Sequence, residues 1–260
     1  MAQAQMMLHA DEKKGGAAPI SRDALANLPD PEVLGSRHRP IRFNRLVEAI
    51  QMEADARGLF VMKEQYAITR DNGRLFGTMD LGIREGSEAP IPGEGTGMAI
   101  GFRSASDQSF TLQMVAGNRV FVCDNLALSG DVMALKRKHT IGLELEEVMA
   151  GTFDRLLEHS GKLIRSVETL QAHEISDIQA RSVIYRALVE KVIPLKLFHD
   201  VHAAYFGPGI EDRPDCAPRT AWGLHNAFTR AIKGLGVAPG WEANVGLGRL
   251  LGLRSGREDN

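Results

Sequence analysis

The chain has 260 residues, 43% apolar and 25% charged, with a formal charge of −2. That is the profile of a globular protein able to bury a core, and it excludes any global attraction to nucleic acid or anionic lipid. Its two cysteines, Cys123 and Cys216, fit neither zinc nor thioredoxin spacing, so no disulfide framework is expected.

The opening "MAQAQMMLHADEKKGG" lacks the apolar stretch of a secretory signal, and Asp11 and Glu12 argue against a transit peptide. No window approaches the roughly 18 consecutive apolar residues of a membrane span. A soluble, cytoplasmic protein with no membrane contact is the expectation.

Residues 1–38 are small, polar and proline-punctuated, and read as a mobile N-terminal arm. From Phe43 to Arg57, Leu46, Val47, Ile50 and Ala54 recur at helical spacing, with Gly58 as a stop. A β-region follows in "LFVMKEQYAITRDNGRLFGTMDLGI". There Asn72-Gly73 predicts a two-residue type I′ hairpin that sets Asp71 opposite Arg74 and Tyr66 opposite Met79. The Gly- and Pro-rich stretch 84–97 reads as an exposed loop.

A second β-block runs from Met98 to Cys123. In "SFTLQMVA", Phe110, Leu112, Met114 and Ala116 alternate with Ser109, Thr111, Gln113 and Val115, the pattern of a strand with one wet face. Gly117-Asn118 suits a type II′ turn, which would pair Met114 with Phe121 and Leu112 with Cys123. On that register Cys123 faces the core, and Asp124-Asn125 ends the strand in a turn.

Helices follow. An apolar stripe from Leu143 to Gln171 predicts a long helix with Gly161 as a possible break, and Ser176–Gln179 forms a capping box for the next one, reaching about Val192. Pro194 forces a break before the helix in "LKLFHDVHAAYF". Thr220 caps "AWGLHNAFTRAIKGLG", and a last helix follows Trp241. The fold class is therefore α+β: a mostly antiparallel sheet of β-hairpins packed against a long helix and a C-terminal helical region. Residues 39–255 form one domain, β-rich over 59–125 and helical over 141–255.

The candidate chemistry is sparse. His199 and His202 share a helical face, with His225 as a third metal ligand, but no HExxH pattern is present. "PGEGTG" lacks the Gly-Lys-Ser/Thr of a phosphate loop, and no cofactor is expected. Between residues 98 and 141 five cations (Arg103, Arg119, Lys136, Arg137, Lys138) oppose three acids (Asp107, Asp124, Asp131). This surplus makes those five residues the candidate phosphate contacts of a nucleic-acid surface.

The segment "GFRSASDQSFTLQMVAGNRVFVCDNLALSGDVMALKRKHT" resembles the phage- and plasmid-like proteins grouped as domain of unknown function 932. The resemblance rests on Ser104, Asp107, Ser109, Val122, Cys123, Asn125, Leu126, Lys138 and His139, and later on "WGLHNAFTRAIK" from Trp222 to Lys233. Ala105-Ser106 stands where Ser-His is usual, so that histidine's role does not carry over. The resemblance spans roughly residues 59–235 and implies a home in mobile elements without an established activity. A hairpin sheet followed by a long helix is also similar to single-strand annealing proteins.

The leading expectation is a non-catalytic protein that engages DNA or RNA or its processing machinery. One alternative is a hydrolase-like or metal-dependent enzyme whose site gathers Asp107, Asp124, Asn125 and His139. Another is a protein-binding or homo-oligomeric module.

Overall fold

The computed structural model describes residues 16–91, 96–120, 125–140, 143–209 and 215–252. Among these, the strands β1 (Ala17–Ile20), β2 (Leu59–Thr69), β3 (Arg74–Ile83), β4 (Thr96–Ala105), β5 (Leu112–Val120) and β6 (Asn125–Arg137) form one antiparallel sheet in chain order. The helices are α1 (Arg22–Ala26), α2 (Phe43–Ala56), α3 (Leu145–Ala172), α4 (Asp177–Val189), α5 (Leu195–Phe206), α6 (Ala221–Ile232) and α7 (Val237–Leu250). The α+β class holds. No helix among the described residues is long and apolar enough to cross a membrane.

Helix α2 buries Phe43, Leu46, Val47, Ile50 and Ala54 on one stripe, and Gly58 (φ +70°) turns the chain back into β2. Helix α3 runs unbroken through Gly161 and buries Met149, Phe153, Leu156, Leu163 and Val167. Both helices pack on one face of the sheet, against Tyr66, Met79, Ile100, Phe102, Leu112 and Met114. The C-terminal helices build a second core around Ile184, Val201, Tyr205, Leu224, Phe228 and Leu247. Helix α6 joins the two cores, because its Trp222 belongs to the first and its Leu224 and Phe228 to the second.

The predicted caps are present: Ser176 and Gln179 form the reciprocal box, and the Thr220 side chain accepts from the Gly223 N–H. The Asn72-Gly73 hairpin also forms, as a wider loop. Thr69 and Arg74 close it, the Asp71 carboxylate accepts from Gly73 N and Thr69 Oγ1, and Asn72 takes φ 55°. Tyr66 therefore faces Gly77, two residues from the expected Met79, which keeps the side chains of residues 63–68 on their expected face, while a register shift between Val61 and Lys63 moves those of residues 59–61 to the other. Arg74 pairs with Asp107, not with Asp71.

Four sequence expectations change. The arm of residues 1–38 is part of the fold from Ala17 onward: β1 pairs with β2, and α1 packs Leu25 into the core. A four-residue strand containing Pro19 carries no alternation to read, and it forms because β2 offers an edge to pair with. Gly117-Asn118 makes no turn. Both residues lie inside β5, paired with Ala99 and Met98 on one side and Leu128 and Ala127 on the other, since ladder bonds on two sides outweigh a local turn preference. Leu112 therefore pairs with Arg137, and the register that buried Cys123 does not exist; Phe121, Cys123 and Asp124 lie outside the described residues. The β-rich part extends beyond residue 125 to Arg137, because β6 is a long strand whose alternation is broken by register shifts against β5.

Finally, the face read as wet is covered. Trp241 and Val245 of α7 pack on Ala99 and Val115, and Val237 packs with Ala17, Ala67 and Phe76. Phe110 lies ahead of β5 and joins this second face beside Phe76, with ring centroids 5.7 Å apart. In the loop after β3, Ser87 Oγ donates to Arg57 O and Arg84 pairs with Asp55, so its described part is fastened to α2.

At Gly77 the fully buried Phe102 ring lies directly over the backbone, where any Cβ would overlap it. Gly77→Ala is expected to cost about 2 kcal/mol by overpacking, read from the urea midpoint. Adding Phe102→Leu should return much of that loss. An unchanged midpoint in the single variant would remove this packing account.

Candidate functional site

The five candidate cations do not share one surface. Arg103 of β4 is only 12% exposed and points at the second face of the sheet. Its Nε donates to Gln113 Oε1 at 2.8 Å, its Nη1 to Glu242 Oε1 at 2.6 Å, and its guanidinium stacks on Phe110 and Trp241. It pins α7 to the sheet. The backbone of Arg119 pairs with Leu126, seven residues along β5 from the Leu112–Arg137 pair, or roughly 23 Å at strand rise. The side chains of Arg119 and Lys136 lie outside the described residues. Arg137 and Lys138 are exposed at the end of β6.

What the fold does assemble there comes from nearly a hundred residues upstream. His38 forms an isolated bridge with Thr140, and Arg39 N donates to His139 O at 3.1 Å. The tight turn before it is set by Gly35 (φ 106°), whose carbonyl accepts from His38 N. The antiparallel bridge sets Arg39 opposite His139, next to Lys138, with Arg37 and Arg137 further out in opposite directions, and all four are exposed. Arg37, Arg39 and Lys138 make no ion pair with any described residue. By contrast Arg22, Arg42, Arg45, Arg57, Arg74 and Arg84 are each held by a carboxylate.

The two histidines hold this joint from inside. His139 is 5% exposed; its Nδ1 accepts from Ile41 N at 3.3 Å, so the ring proton sits on Nε2, 3.1 Å from Ser104 Oγ. In that tautomer His139 donates to the serine and cannot deprotonate it. Burial, with a smaller contribution from nearby His38, lowers its pKa to about 4 and keeps the ring neutral. His38, 4% exposed, accepts from Leu34 N through Nδ1 at 2.9 Å.

Among the described residues, the backbone of Asn125 lies far along β6 from Asp107 and His139. Asp107 lies in the β4–β5 turn, accepting from Ser109 N at 2.9 Å and Arg74 Nε at 2.8 Å. Burial opposes ionisation there, but the Ser109 and Arg74 bonds hold its carboxyl below the usual range. Asn125 pairs with Val120 at the opposite end of β6 from Arg137, roughly 40 Å away at strand rise. Asp124 lies outside the described residues.

Nor do the three metal candidates meet. His199 is exposed on α5, His202 lies against Phe206, and His225 is buried in α6, stacked on Trp222 at 4.7 Å. Burial lowers the His225 pKa to about 4. Among the described residues no group of three or more His, Cys, Asp or Glu is arranged to hold a metal ion. The "HNAFT" signature is structural here. Asn226 Nδ2 donates to Asp215 O at 2.8 Å, Thr229 Oγ1 donates to Asn226 O, and Phe228 fills the helical core.

Beside the cationic joint is a cleft of about 230 Å³ between the segment Leu25–Asn44 and the two turns carrying Asp71–Gly73 and Ser106–Asp107. Sequence reading missed both features. The pair of arginines flanking a histidine in "SRHRP" was the available signal, but nothing local says that it meets "KRKH".

A family described as Domain of unknown function (DUF932) matches residues 32–236. The match covers most of the chain, and the protein belongs to this family. It begins upstream of the resemblance read at residue 59 and takes in the "SRHRP" turn and α2. Neither the curated proteins nor the solved structures contain a match.

The neutral histidines set a pH dependence. His139 and His225 titrate near 4 when folded and near 6.5 when unfolded, so the unfolded chain binds more protons between those values. Their stabilising contribution is complete above about pH 6.5 and is lost as pH falls towards 4, by about 3 kcal/mol each. Urea midpoints between pH 7.5 and 4.5 should fall accordingly, and His139→Gln should remove its share of the slope. A flat profile would contradict the neutral assignment.

Proposed function

We propose that this protein is a non-catalytic nucleic-acid-binding component of phage- or plasmid-type mobile elements, and that Arg37, Arg39, Arg137 and Lys138 contact its phosphates. One observation supports the reading: exposed cations come from two distant segments that are fastened together, and three of them make no ion pair with any described residue, whereas Arg22, Arg42, Arg45, Arg57, Arg74 and Arg84 do. Gathering like charges costs free energy, and an anionic ligand recovers it. The family resemblance to mobile-element proteins supports the same direction as an association. With a net charge of −2, binding needs a local cationic patch such as this one and is strongly salt-dependent.

The test is anisotropy of a labelled single-stranded oligonucleotide over a salt series. The triple variant Arg37→Ala, Arg39→Ala, Lys138→Ala should weaken binding and reduce the salt slope by about 2, the single-strand value for three phosphates. Arg103→Ala should lower stability and leave that slope alone. Wild-type binding by the triple variant would displace the patch, and no binding at low salt would end the reading.

A second reading, a homo-oligomeric or protein-binding module, is favoured by α4. Its Ile178, Tyr185 and Val189 are 77%, 63% and 59% exposed on one helical face. Light scattering should then give a molar mass above that of one chain, reduced by Tyr185→Glu with Val189→Glu. A monomer at all concentrations would reject self-assembly.

A further inference from the structure

We infer that the cleft beside the cationic joint takes one unstacked, amino-bearing nucleobase of a single strand whose phosphates lie on Arg37, Arg39 and Lys138; the inference rests on the nucleic-acid reading above. At about 230 Å³ the cleft is smaller than the ~300–1,000 Å³ of pockets for drug-sized ligands, and suits a single ring system. Its walls include Leu28, Leu34, Ile41 and Phe43, which give the apolar faces a splayed base needs.

The rim chooses base over phosphate. Asp30, Glu32, Asp71 and Asp107 line it with one cation, Arg42, which is paired with Asp30, and a surplus of carboxylates repels a phosphate while accepting from exocyclic amino groups. Glu32 makes no ion pair with any described residue, whereas Asp107 is engaged by Arg74. Adenine, cytosine and guanine each offer an amino donor, and thymine does not. Acidic rim and cationic joint thus divide one ligand between them, base inside and backbone outside.

The two parts are mechanically one. Leu34 and Ile41 line the cleft, and both are fixed by the histidines: Leu34 N donates to His38 and Ile41 N to His139. Gln108 Nε2 donates to Leu34 O at 2.9 Å, fastening the opposite turn to the same wall. Arg39 stands two residues from Ile41, at most about 7 Å between Cα atoms. A base in the cleft therefore keeps its own phosphates within reach of the arginines.

The experiment compares oligo-dA, oligo-dT and an abasic sugar–phosphate strand of equal length, bound by the full chain at one low salt concentration. Oligo-dA should bind about tenfold more tightly than the abasic strand, the scale of one stacked base, with oligo-dT between. Asn44→Trp, which fills the cleft, should close the dA–abasic gap while keeping the abasic affinity and the salt slope. Glu32→Gln should shrink the dA–dT preference. Equal binding of dA and abasic strands, or a gap that survives Asn44→Trp, overturns the base site and leaves the phosphate patch standing. Failure of all three strands to bind overturns both. Should Asn44→Trp not fold, hydrogen exchange on the native chain decides. Oligo-dA, and not the abasic strand, should protect amides in 28–34 and 71–73, and equal protection rejects the cleft.

Discussion

A neutral imidazole is the constraint on which the joint between the approach to α2 and the exit from β6 depends. His139 sits where three parts of the chain meet: the approach to α2 through Ile41, strand β4 through Ser104, and the exit from β6. It can satisfy Ile41 N only while Nδ1 is unprotonated, and burial ensures that state near neutral pH. His38 repeats the device on Leu34. Two buried rings therefore hold a cationic turn from inside.

The sheet itself is a simple meander, and its two faces serve different purposes. One carries the main core beneath α2 and α3, and the other receives α7 through Trp241, Val245 and the Arg103–Glu242 pair. The second attachment engages a cation in the middle of a recognisable segment. Arg103 is enclosed by two aromatic rings, a glutamine and a glutamate. A guanidinium so enclosed is spent on packing.

Features with local causes were legible in the sequence. The α2 stripe, the α3 stripe, the Ser176–Gln179 box, the Thr220 cap and the Asn72-Gly73 hairpin each depend on residues within one or two turns of one another. Features defined by a partner were not. Strand β1 has no alternation and exists because β2 has a free edge. Gly117-Asn118 carries a turn signal that pairing with β4 and β6 overrides. Of the candidate site, Arg137 and Lys138 were visible, whereas Arg37 looked like part of an arm and Arg39 stood at the edge of the domain with nothing local to mark it.

By itself, then, the sequence determined the class, the helices and their caps, and the presence of an unusual run of cations, because these follow from spacing along one chain. Tertiary structure alone decided which cations belong together. Arg103 is withdrawn into the sheet, Arg119 is carried along β5, and the segment of Arg37 and Arg39 is joined to the segment that follows Arg137 and Lys138 by the His38–Thr140 bridge. The physical reason is that a contact across about a hundred residues is paid for by burial and backbone pairing on both segments, and neither segment records the other in its own pattern.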